Sequence, residues 1–102
     1  MGRKINTWGY VYIIRSSNGL YKIGLSHNVQ LRISQHQKAH SDEVLQLIRV
    51  IETDNMMHTE QQLHNIFDRK RVHGEWFALS EDDFQYVDLI ERNIQAYIDD
   101  IR

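Results

Sequence analysis

A chain of 102 residues, 41% hydrophobic and 25% charged, has the length and composition of one ordinary globular domain with a single core. A formal net charge of -2 argues against a protein that coats nucleic acid nonspecifically, although a local basic surface can exist on an acidic domain. The absence of cysteine excludes a disulfide framework and a thiolate zinc site, and no segment approaches the ~20 apolar residues that span a bilayer, so no membrane partner is expected.

The opening Met-Gly-Arg-Lys-Ile-Asn-Thr lacks the apolar run of a signal peptide, and a cytoplasmic location is the expectation. Trp8 to Arg15 is rich in aromatic and β-branched residues and reads as a strand; Leu20 to Gly24 reads as a second, and Val44 to Glu52 as a third. Ser17-Asn18-Gly19 joins the first two. A two-residue turn at Asn18-Gly19 would pair Ile14 with Ile23 and put Tyr12 on the face of Tyr21. A three-residue loop ending with a left-handed Gly19 would pair Ile14 with Lys22 and Tyr12 with Gly24, so that Tyr12 and Lys22 share a face. The three-residue loop is the one expected.

Helices fill the rest. One begins near Ser26, with Val29, Ile33 and His36 at helical spacing and Arg32 on the flank of that stripe. A second runs from about Asn55 to Phe67. The third follows Ser80, which with Asp83 imitates a capping box, and carries Phe84, Val87, Ile90, Ile94, Ile98 and Ile101 at intervals of three and four. Its expected task is to cover the sheet. Between the second and third, Val72 to Ala78 reads as a turn leading into a short extended segment. With no proline, repeat or linker, the pattern predicts one α/β (α+β) unit, with a central, mainly antiparallel three-stranded sheet flanked by helices.

Glu60 is the anomaly of the second helix, because it sits in the apolar stripe of Met56, Leu63 and Phe67. A carboxylate facing a core is costly unless paired, hydrogen-bonded or bound to a cation. It can swing to the rim and pair with a base such as Arg32, or it can ligate Mg²⁺, which needs only one or two carboxylates beside water and phosphate. His36 and His40, and equally Glu60 and His64, have the one-turn spacing of zinc ligands, but such pairs are more often structural or surface features. His64 and His73 are candidate supporting groups, Trp76 and Phe77 candidate core, and Glu75 a candidate partner for a nearby base or amide.

Taken together, Gly9-Tyr10-Val11-Tyr12-Ile13, Tyr21-Lys22-Ile23-Gly24, Arg32, His36, Glu60 and Gly74-Glu75-Trp76-Phe77 resemble the GIY-YIG nucleases, and most closely their phage- and prokaryote-associated branch with YKIG and GEWF motifs. The motif core runs from about 9 to 78, and a C-terminal helix from about 80 to 101 completes a nuclease domain of 1–102. The chain departs from the family pattern in two places. Lys22 stands where the second family tyrosine would be, with Tyr21 displaced by one, and Gly9 is one residue out of register with Tyr12.

The resemblance implies a DNA endonuclease that hydrolyses phosphodiester bonds with one divalent metal, Mg²⁺ or Mn²⁺, held by Glu60. Arg32 suits the phosphate, since its guanidinium is always charged and offers a bidentate fork. Tyr12 or Lys22 would take the proton of the attacking water, with Tyr12 favoured and Lys22 assisting, yet ordinary pKa values near ~10 and ~10.4 leave both protonated at neutral pH. A lowered pKa or a proton relay is therefore required, and His36 is placed to assist. Lys22, Arg32, Lys38, Arg69, Lys70 and Arg71 are the expected DNA contacts, with Arg3 and Lys4 as further basic residues. Cutting both strands needs two sites or two visits, which a homodimer would supply. The alternative is a catalytically inactive DNA-binding or protein-interaction module on the same fold.

Overall fold

The computed structural model describes residues 7–102; the basic Arg3 and Lys4 lie outside the described residues. Strand β1 (Gly9–Ser16) turns through Ser17-Asn18-Gly19 into β2 (Tyr21–Ser26), and helix α1 (Val29–Ala39) leads to β3 (Leu45–Thr53). Helix α2 (Met56–Ile66) and a short 3-10 turn precede the small strands β4 (Arg71–His73) and β5 (Trp76–Phe77). Helix α3 (Phe84–Ile101) follows a second 3-10 turn. The three expected strands and three helices are present, the strands and α2 within two residues of their expected bounds, while α1 begins three residues after Ser26 and α3 four residues after Ser80.

The sheet is larger than expected. It has five antiparallel strands in the order β3-β1-β2-β5-β4, rather than three. Val72 and His73, read as turn residues, form β4, and only Gly74 and Glu75 turn the chain, with Gly74 at φ 52°. Pairing of two strands this short carries almost no period-2 signal, so the hairpin was invisible to patterning.

The β1–β2 hairpin has the three-residue loop. Gly19 takes φ 92°, a left-handed backbone that a side chain would disfavour, and Ser16 and Leu20 close the turn through the Ser16 N–H. Tyr12 accordingly pairs with Gly24 and Ile14 with Lys22. β1 lies between β3 and β2, and both its faces are buried. Val11 and Ile13 join Ile23, Ile51, Leu63, Phe67, Phe77, Val87 and Ile90 in the main core beneath α2 and α3. Tyr12 and Ile14 pack on the other face with Val29, Trp76 and the half-buried Ile33 of α1. Ser80 and Asp83 form the expected capping box, and α3 covers the sheet with Val87, Ile90 and Ile98.

Candidate functional site

Register places the first part of the site. Cross-strand partners share a face, so Tyr12, Gly24, Lys22 and Trp76 lie together on the α1 side of the sheet. Gly24 is small for a reason: a Cβ there would stand 2.5 Å from the Tyr12 hydroxyl oxygen and 2.6 Å from its Cζ. The Tyr12 ring therefore lies directly over the Gly24 backbone, and the side chain is 1% exposed.

Helix α1 supplies the next groups. Asn28 caps it by accepting from the Leu31 N–H, and Val29 anchors it in the smaller core. One helical turn separates Arg32 from His36, which puts both on the flank above Tyr12. The Tyr12 hydroxyl lies 2.9 Å from His36 Nε2, and the Arg32 charge acts on it. Burial pushes the Tyr12 phenol up to about 12; the Arg32 charge pulls the other way, and the carboxylates of Glu75 and Glu60 add to the rise. Burial, and then the positive charges of Lys22 and Arg32, hold His36 below its usual value, so its imidazole is neutral at pH 7.

Helix α2 brings the acidic part. Asn55 caps it, the buried Thr59 hydroxyl bonds Thr53 of β3 at 2.8 Å, and Leu63 and Phe67 enter the core. That anchoring leaves Glu60 and His64, four residues apart, on the flank beside the β2–β5 edge. Glu60 does not pair with Arg32. It sits half-buried near Glu75, and its carboxyl is raised by burial and then by the Glu75 charge, against the pull of His64 and Lys22. Lys22 Nζ donates to Glu75 Oε1 at 2.8 Å and lies 5.7 Å from the centre of the Trp76 ring. Glu60, His64 and Glu75 each offer one ligand atom, and those atoms all lie within 4.8 Å of one another.

A family model, the T5orf172 domain, matches residues 9–100. The chain belongs to that family. The T5orf172 domain is found in phage and bacterial nuclease-like proteins. No curated protein and no solved structure matches this chain. The match spans the five strands and nearly all of α3, so this T5orf172 domain takes in the two short strands as well as the motif residues.

Of the expected site residues, Tyr12, Lys22, Arg32, His36 and Glu60 share one neighbourhood of this T5orf172 domain, each acting electrostatically on others of the set. The remaining basic residues are differently placed. Lys38 is exposed on α1, two residues beyond His36 and so turned away from it, and Arg69 is exposed in the 3-10 turn after α2. Lys70 is engaged with Asp83 at 2.5 Å, and Arg71 with Asp68 at 3.3 Å, with the Gly74 carbonyl and with the face of Phe77. His64 was expected only as a supporting group, and Glu75 only as the partner of a nearby base, which Lys22 is. Their signals were present in the one-turn spacing of Glu60 and His64 and in the second residue of Gly74-Glu75-Trp76-Phe77.

Proposed function

We propose that the chain is a divalent-metal-dependent endonuclease of GIY-YIG type that hydrolyses DNA phosphodiester bonds. One observation carries the reading. Residues scattered from Tyr12 to Glu75 put a hydroxyl, a neutral imidazole, a guanidinium, an ammonium and two carboxylates into one neighbourhood. Membership of a family found in nuclease-like proteins agrees with it. The donors at Glu60 fit a cation, because burial and the nearby Glu75 charge raise the proton affinity of its half-buried carboxyl, and a divalent ion would supply the positive charge that favours the ionised form.

Each residue then has a task. Arg32 and Lys22 bind the scissile phosphate, Arg32 through its fork and Lys22 as a positive charge fixed by Glu75 and Trp76. Tyr12 is too weak an acid to serve as a lone phenolate base at neutral pH, since its phenol is pushed up to about 12. Its hydroxyl accepts the proton of the attacking water while passing its own to His36 Nε2, 2.9 Å away and neutral. The Tyr12–His36 pair thus acts as a relay, which removes the need to ionise tyrosine. Glu60 would hold a divalent ion, which would supply charge neutralisation for the phosphate being cut.

Supercoiled plasmid incubated with the protein and Mg²⁺ is expected to become nicked, EDTA to stop the reaction, and Glu60→Ala to abolish it. Cutting that persists in Glu60→Ala refutes the reading.

A further inference from the structure

We infer that His64 and Glu75 join Glu60 as ligands of one divalent ion, and that this mixed oxygen and nitrogen set selects a first-row transition ion such as Mn²⁺ over Mg²⁺. The inference rests on the nuclease reading for the presence of an ion at Glu60 and goes beyond it in the ligands and the ion. Glu60, His64 and Glu75 have ligand atoms within 4.8 Å of one another, and they come from two separate elements, α2 and the β4–β5 turn. Ligand bonds of about 2.1 Å place octahedral neighbours roughly 3 Å apart and opposite ligands roughly 4 Å apart, so rotations of the two Glu side chains close the set.

The tautomer of His64 is fixed by its partner. Its Nε2 lies 2.9 Å from the carbonyl oxygen of Ile23, which can only accept, so Nε2 carries the hydrogen and Nδ1 keeps the lone pair. Metal-bound histidines adopt the same arrangement, one nitrogen on the ion and the other donating to a backbone carbonyl. The ring is 7% exposed and packs edge-on to Phe77 at 5.1 Å, which restrains it. Glu75 is tied to the same residue: the Ile23 N–H donates to the Glu75 carbonyl at 3.1 Å. Both groups of one peptide residue in Tyr21-Lys22-Ile23-Gly24 therefore set the spacing of two ligands. Glu75 spends Oε1 on Lys22 and keeps Oε2 for an ion.

Ligand type decides the ion. Mg²⁺ takes oxygen ligands and holds its waters, whereas imidazole beside carboxylates favours first-row transition ions. Mn²⁺ titrated into the full chain, followed by electron paramagnetic resonance, is the probe. The expected result is one tightly bound Mn²⁺ with coupling to an imidazole nitrogen, displaced by Mg²⁺ only at concentrations at least about tenfold higher. In His64→Gln the side-chain amide can still donate to the Ile23 carbonyl; it should lose the nitrogen coupling and weaken Mn²⁺ binding about tenfold or more. Glu75→Gln should weaken binding while keeping the coupling, and serves should His64→Gln fail to fold. Mn²⁺ bound without nitrogen coupling, or with unchanged affinity in either variant, overturns the inference. A chain that nicks DNA but shows no such coupling overturns this ligand set alone. Coupling without any cutting leaves the ligand set standing and overturns the nuclease reading.

Discussion

Removing one oxygen atom in Tyr12→Phe isolates the behaviour of the buried phenol. At neutral pH the variant loses the 2.9 Å bond to His36, a cost of about 1 kcal/mol, and keeps the ring that packs over Gly24. The larger effect is at alkaline pH. Burial raises the folded-state value from 10.0 to about 12, so the folded protein holds this proton more tightly than the unfolded chain does. A raised value stabilises fully below pH 10 and is lost as pH climbs through about 12. The whole interval corresponds to roughly 3 kcal/mol, of which about 1.4 kcal/mol is gone by pH 11. Urea unfolding at pH 9 and pH 11 is the assay, with the two proteins compared so that the other titrating groups cancel. Wild type should lose about 1.4 kcal/mol more than Tyr12→Phe between those two values. Equal losses would mean that Tyr12 ionises like a solvated phenol, and the relay would lose its reason.

Other expectations follow from single contacts. Gly24→Ala drives a methyl group into the Tyr12 ring and should cost about 1–3 kcal/mol in urea unfolding and displace the hydroxyl from His36; a cost under about 0.5 kcal/mol would show that the ring is free to move. Glu60→Gln relieves the opposition of two close carboxylates and should raise stability at pH 7 by roughly 0.5–1 kcal/mol while cleavage is lost; a drop in stability contradicts the crowding described. In Lys70→Met the buried Asp83 loses a partner. Burial alone would raise this carboxyl, but the bonds from Lys70 and Ser80 outweigh it and hold it below its usual value, so the stabilisation is present at neutral pH and lost as pH falls below about 4. The penalty of Lys70→Met should therefore shrink on acidification, and a penalty constant down to pH 3 would refute that assignment.

The parts of the fold legible in the sequence are those written in local chemistry. Asn18-Gly19 and the alternation on either side gave the hairpin, and with it the shared face of Tyr12 and Lys22. The Ser80–Asp83 box and the stripe of α3 gave the covering helix. What could not be read was set by distant pairings. β4 and β5 exist because Phe77 and Trp76 pair with Tyr21 and Lys22, more than fifty residues earlier. Glu60 was legible as a misfit in an apolar stripe, but its charged neighbour Glu75 was not, since that residue arrives on the β4–β5 turn. The difficulty of the tyrosine as a base also lay beyond the sequence. Arg32 pulls its phenol down, and burial under α1 overrides that pull.

Single-turnover nicking of supercoiled plasmid by Tyr12→Phe and Lys22→Met, measured side by side at saturating metal, bears most directly on the site. A proton relay through Tyr12 and His36 predicts that Tyr12→Phe slows the chemical step by about 10²-fold or more, the usual size of general-base catalysis, while Lys22→Met weakens DNA binding more than it slows cutting. Abolished cleavage in Lys22→Met with most of the rate kept in Tyr12→Phe would contradict the account and make the lysine the base.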